Sequence, residues 1–461
     1  MKTEKQFRQY VERHPHAHMH PAMRPFFTRR GFFQLAAGVT GSVLLERPAF
    51  GQEIVRHGGT PISKAKNVIF ILLAGAPSHV DLCDFKQTTS TPMDLLKPET
   101  INGIVWPTGL MPKLGEHLGD LAIARSVRSW ALQHNLAQSW AQIGRSPAAA
   151  LGDIAPNIGA IVAAEKESER LPGQVFPTFL ALNSGAAVGS GYLPASYSPL
   201  KITPAVSGLP DTRNPDGDTR FAAKYDLLQA IDQPLRNPAT NPFGAEMAGY
   251  QGFYNSGKAM MFNADVDRAF RYTAAEAARF GTTGFGNACL NASKVLAGRG
   301  GTRYIMITLG SWDHHTSIYT QLPPLAKQLD DGVSALIDDL KANGTYDETL
   351  IVIMGEFGRT TGAITATGGR DHHLQQFALF AGAGVNGGRT LGSTDDAGEV
   401  TREYGWSRDR DFRFEDIEAT IYSAMGIDWT TVRFDDPFGR GFYYVPESNN
   451  DLYGPIHELW T

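Results

Sequence analysis

The chain has 461 residues, of which 42 % are hydrophobic, 19 % charged and 10 % aromatic, a composition that excludes collagen-like, wholly disordered and many-spanned membrane classes. Its 49 glycines and 27 prolines point to a large, loop-rich fold rather than a coiled coil or helical bundle. Residues 1–51 carry eight Lys and Arg against three acids, and the remaining 410 carry 34 against 44; an acidic body without a basic run argues against a nucleic-acid or anionic-membrane partner.

The first segment reads as an address. Thr28-Arg29-Arg30-Gly31-Phe32-Phe33 precedes a weakly apolar stretch from Leu35 to Leu45 and then Ala49-Phe50-Gly51, which resembles a twin-arginine export signal. The stretch is shorter than the ~20 residues a membrane span needs, and Glu46-Arg47 closes it. Residues 1–51 are therefore expected to direct export to the periplasm or the extracellular space through the twin-arginine machinery. The mature part, residues 52–461, is expected to lack a span, and the histidines at 14, 16, 18 and 20 fall in the part removed.

Five continuous apolar runs follow: Val68–Leu73, Leu121–Ala124, Tyr304–Leu309, Leu350–Met354 and Phe377–Phe380. Such runs predict strands covered on both faces. Leu325, Leu329, Val333, Leu336, Ile337 and Leu340 form a helical stripe that stops at Gly344, and strand, helix, strand in that order is a parallel crossover unit. The predicted fold class is α/β, a mostly parallel central sheet between helical layers. The alanine-rich stretch from about Asp211 to Gly298 reads as a helical insertion or cap. Cys83 and Cys289 are too few for a disulfide framework or a cysteine-based zinc site.

The titratable residues gather at the ends of these runs. His79 and Asp81 follow the first, Asp313-His314-His315 the third and Glu356 with Arg359 the fourth, while Arg370-Asp371-His372-His373 precedes the fifth. In an open parallel sheet the crevice beyond the carboxyl ends of the strands is where ligands bind, so distant segments converge there. Carboxylates mixed with imidazoles suit zinc, manganese or iron rather than magnesium or calcium alone. For each residue singly, a capped loop or a satisfied core histidine is the competing reading.

The stretches NVIFILLAGAPSHVDLCDFK, GSWDHH, IVIMGEFGRT, GGRDHH and EDIEATIYSAMGID resemble, in order, the signature segments of the exported bacterial DUF1501 family, which is similar to a branch of the alkaline phosphatase and sulfatase superfamily. The resemblance runs from about Asn67 to Asp428. It implies an alkaline-phosphatase-like three-layer sandwich with metal ligands on loops at one end of the sheet. Asp81, Asp313, His315, Glu356 and His372 would be the ligands of one or two divalent ions, zinc or manganese first among them.

One departure from that pattern is chemical. Covalent hydrolases of the superfamily place a hydroxyl or modified cysteine at a helix start ten residues before a glycine, whereas ten before Gly144 stands His134. His134 is then a nucleophile, a general base, a metal ligand or a helix cap. The expected function is metal-dependent hydrolysis of a small anionic phosphate or sulfate ester, with His134 and Arg359 as catalytic residues and Arg359 or Arg370 holding the anion bidentately. The alternatives are a non-catalytic binding protein that kept the fold and lost the nucleophile, and a structural partner in which Arg359 pairs with Glu356.

Overall fold

The computed structural model describes residues 54–461 apart from Pro238 and Pro242, and a few further side chains of the helix 244–260 lie outside the description. The export signal expected over residues 1–51 lies outside the described residues. The described residues form one unit.

Its centre is an eight-stranded sheet made of β1 (Asn67–Leu73), β2 (Ala122–Arg128), β3 (Phe179–Leu182), β4 (Leu200–Ile202), β5 (Tyr304–Leu309), β6 (Thr349–Met354), β7 (Gln375–Ala381) and β8 (Arg389–Leu391). The spatial order is β8-β2-β7-β6-β1-β5-β3-β4. Seven strands run one way, and β7 alone is antiparallel to its neighbours β2 and β6. All five apolar runs are strands: Tyr304–Leu309 has the bounds of its run, Ala122–Arg128 begins one residue later and runs on further, and the other three extend their runs by one to three residues.

The two-residue side-chain period of a strand divides β1 cleanly. Ile69, Ile71 and Leu73 join one core, with Ile305, Ile307, Ile351 and Ile353 and the helices α6 (Gly284–Ala297) and α7 (Ile318–Ala342). Val68, Phe70 and Leu72 join a second core on the other face, with α2 (Ile158–Lys166) and α8 (Phe414–Ala424). The three-layer arrangement follows from that split. Helix α7 carries the predicted stripe but begins earlier, at Ile318, taking Pro323 and Pro324 into its first turns.

The stretch read as an insertion divides in two. Helix α3 (Gly217–Asp232) buries no side chain, and Leu227, Leu228 and Ile231 are exposed on it. Beyond α4 (Gly244–Met260), helix α5 (Ala264–Phe270) buries Val266, Ala269 and Phe270, and α6 buries most of its length against α7. Only the first part stands off the core. Both cysteines are free and buried, and burial pushes their thiols well above the usual range. No helix among the described residues is long and apolar enough to cross a membrane.

Candidate metal centre

Four loops meet at one edge of the sheet. The parallel strands β1, β2, β5 and β6 arrive there at their carboxyl ends, while β7, being reversed, departs from there. His372 and His373, just before β7, are brought to the same place by an antiparallel ribbon in which Arg359 pairs with His372 and Gly358 with His373. The loops approach closely at Gly75, which has a φ of +108°; a Cβ there would lie 2.7 Å from the main-chain nitrogens of Trp312 and Asp313. Ala76 and Ser311, on the same loops, also take positive φ, a conformation that costs free energy and is held by its surroundings.

Four side chains converge: His134 at the start of α1 (His134–Ile143), Asp313 after β5, His315 two residues on, and His372. One ligand atom from each lies within 4.8 Å of all the others. Asp313 Oδ1 is 3.0 Å from His315 Nε2, 3.3 Å from His134 Nε2 and 3.7 Å from His372 Nε2. The two nitrogens His315 Nε2 and His372 Nε2 are 3.0 Å apart.

The other ring nitrogen of each histidine is fixed by the protein. His134 Nδ1 donates to Glu356 Oε1 at 2.7 Å, His315 Nδ1 to Asp371 Oδ1 at 2.9 Å, and His372 Nδ1 to the Leu132 carbonyl at 2.6 Å. Those outer hydrogen bonds leave each Nε2 lone pair turned inward, which is how metal-binding imidazoles are held. His134 Nε2 is buried and has no hydrogen-bond partner. An orphaned imidazole nitrogen among two others and a carboxylate oxygen is a donor set that fits zinc, manganese or iron. His134, Asp313, His315 and His372 are the residues that would hold such an ion.

The local charges support ligation unevenly. The hydrogen bond to Glu356 raises the pKa of His134. Burial lowers that of His372. Asp313 is partly buried, which works in the opposite sense, yet the hydrogen bond and charge of Arg359 hold its carboxyl below the usual range.

The four converging side chains differ from the five expected. Asp81 is fully buried but turned to Arg370, whose Nε donates to Oδ2 at 2.8 Å; Ser78 Oγ donates to the same oxygen at 2.6 Å and Tyr319 Oη to Oδ1 at 3.0 Å. Glu356, also fully buried, accepts from Gly75 N at 2.9 Å and Gln138 Nε2 at 2.9 Å besides His134. Glu356 therefore orients a ligand rather than being one of the four, because its oxygens are taken by N–H donors.

Arg359 pairs with Asp313, not with Glu356. Arg370 has no pair of free donors for an anion, since its other N–H groups go to the Thr360 and Gly362 carbonyls and to Tyr319 Oη. His79 and His314 face inward, and burial lowers each pKa to about 4. Asp371, Gln138 and the Leu132 carbonyl were given no role from sequence. Of these only Asp371 left a signal, its place beside His372.

The fold and this edge define an α/β protein with a histidine–aspartate cluster of metal-ligand character on the loops of a mostly parallel sheet. The chain belongs to the family described as "Protein of unknown function (DUF1501)", which matches residues 65–448. No curated protein matches it. Among solved structures it is similar to a protein in the alkaline phosphatase superfamily from Vibrio parahaemolyticus, with 12 % identity over 82 % of this chain and 71 % of the other and a TM-score of 0.39. A sulfatase from Pseudoalteromonas sp. matches with 12 % identity over 79 % and 68 % and a TM-score of 0.37. A lipoteichoic acid synthase from Listeria monocytogenes matches with 10 % identity over 79 % and 73 % and a TM-score of 0.34.

Proposed function

We propose that the protein is an exported, metal-dependent hydrolase of a small phosphate or sulfate ester, working in the periplasm or outside the cell after passage through the twin-arginine machinery. The observation that carries the reading is the four-donor cluster with every histidine fixed from behind. A divalent ion bound there supplies Lewis-acid polarisation of an ester oxygen and charge against the anionic group.

The chain's own residues do the rest. His134 is held by the start of α1, His372 by the ribbon with Arg359, and Asp313 and His315 by the loop that leaves β5, with hydrogen bonds behind each histidine, so little reorganisation is needed on binding. Glu356 fixes the tautomer of His134, and Asp371 that of His315. His134 occupies the start of α1, where a covalent mechanism would need a hydroxyl, so the attacking oxygen in this reading is that of water and no phosphoryl or sulfuryl enzyme forms.

The deciding experiment couples elemental analysis to turnover. Protein purified without chelator is expected to carry a divalent ion and to hydrolyse at least one member of a panel of phosphate and sulfate esters, losing activity on chelation. Bound ion with no turnover across the panel replaces this reading by the non-catalytic binding protein. Neither ion nor turnover replaces it by the structural partner.

A further inference from the structure

Two carboxylates at this edge that might have built a second ion site are already committed, Asp81 to Arg370, Ser78 and Tyr319, and Glu356 to Gly75, Gln138 and His134. Among the described residues, the cluster of His134, Asp313, His315 and His372 is the group of His, Cys, Asp or Glu side chains placed to share an ion. Beside it stands Arg359, fully buried. Its Nη2 donates to Asp313 Oδ1 at 2.6 Å, and its Nη1 lies 3.4 Å from His315 Nε2.

The rest of that guanidinium is tied to main chain: Nε to the Ala76 carbonyl at 2.8 Å, Nη1 to the Arg370 carbonyl at 3.2 Å and Nη2 to the Gly75 carbonyl. With its donors taken, Arg359 offers no fork to an incoming anion. What it contributes at the cluster is charge, which a guanidinium keeps at any working pH. That charge is preorganised, because three carbonyls from three loop positions hold it.

We infer that Arg359 is a fixed second cation: the centre takes one divalent ion, and Arg359 supplies from inside the fold the positive charge that a second ion would otherwise bring. The inference rests on the metal reading above. It has a consequence with two opposite signs. A positive charge touching Asp313 weakens the hold of the cluster on a cation and strengthens the attraction of the loaded site for an anion.

Both affinities are measurable without turnover. Protein stripped with chelator is titrated with zinc and, separately, with manganese, the bound ion is counted by elemental analysis, and inorganic phosphate is titrated calorimetrically into the loaded protein. Wild type is expected to bind one ion per chain. Arg359→Gln is expected to bind it about tenfold tighter and phosphate about tenfold more weakly.

Two ions per wild-type chain would overturn the inference while leaving the metal reading standing. No ion on the wild type would overturn both. Loss of ion and phosphate affinity together in a folded Arg359→Gln would mean that the arginine is merely structural, and would overturn the inference alone. Should that variant fail to fold, Arg359→Lys decides, since it keeps the charge without the fork: one ion and phosphate affinity within about threefold of wild type supports the inference, and a second ion overturns it.

Discussion

The two sides of the loop edge use the same kinds of residue for opposite purposes. On one side His134, Asp313, His315 and His372 each turn one ligand atom toward the others, the Nδ1 hydrogen bonds of the histidines point outward, and Asp313 Oδ1 also accepts from Arg359. On the other, Asp81 and Arg370 turn toward each other and leave nothing over. A carboxylate beside histidines thus becomes ligand-like or structural according to what stands behind it, not according to its own type. Asp81, buried against a guanidinium, is half of an ion pair; Asp313, 45 % exposed in its side chain, touches Arg359 at one oxygen and keeps the histidines around it.

The sharpest way to break this contrast is to remove one member from each side. His372→Ala should lose the ion and with it the hydrolysis, a fall in ion affinity larger than the roughly 10–100-fold that loss of an outer hydrogen-bond partner costs. Glu356→Gln should show that smaller loss while the ion count stays the same. Elemental analysis of the dialysed variants checks both.

Asp81→Asn should do the reverse, retaining the ion count and losing stability. It leaves the Arg370 guanidinium buried without its counter-charge, at a cost of about 3–5 kcal/mol, read as a fall in the denaturation midpoint with unchanged slope. A variant that kept its stability but shed the ion would invert the assignment of the two sides.

A third comparison lies behind α1. Glu415 and Glu418 of α8 are buried, and desolvation raises their pKa values to about 7 and about 8. Glu418 faces Arg145 and Tyr422, and Tyr422 Oη donates to it at 2.9 Å. The folded protein therefore holds protons that the unfolded chain releases near pH 4.5, so the contribution of this pair is full below that pH and is lost as pH rises through 7 and 8, while the lowered values of His79 and His314 act in the opposite sense up to about pH 6.5. The loss should be on the order of a few kcal/mol, and Glu418→Gln should flatten the slope. Melting curves from pH 6.5 to pH 8.5 decide it, and a wild-type profile no steeper than that of Glu418→Gln over that range refutes it.

The smallest effect is expected on α3, where no side chain is buried. Leu227→Gln should change stability by no more than about 0.5 kcal/mol and leave ion binding untouched.

Much of this was legible in the residues because apolar runs and the polar segments that end them are local signals. Val68–Leu73 and Tyr304–Leu309 announced strands, and GSWDHH and GGRDHH announced the edge. The direction of β7 was not legible, since Phe377–Phe380 reads the same whichever way the strand runs and only its pairing with β2 and β6 sets it. Nor was the fate of Asp81. Its partner Arg370 lies 289 residues away, and whether a carboxylate at this edge turns to the histidines or away from them depends on loop geometry that spacing does not encode. His134 was singled out for the hydroxyl it replaces, but its hold on Glu356, 222 residues further on, follows only from the fold. The even alanine content of 211–298 hid the difference between α3 and α6, because alanine suits a helix that is buried and one that is not.

The contacts that complete the site are among the longest-range in the chain. Gly75 N reaches Glu356 over 281 residues, and His372 reaches the Leu132 carbonyl over 240. During synthesis Asp81 therefore waits for Arg370, and His134 for Glu356, until about four-fifths of the polypeptide has been made. Closing loops of that size is slow but adds little free-energy cost per further residue, so the edge should be the last part to form. An ion joining His134 to His372 would act as a clasp on that final step, and the rate at which the edge closes during refolding should rise with the concentration of free metal.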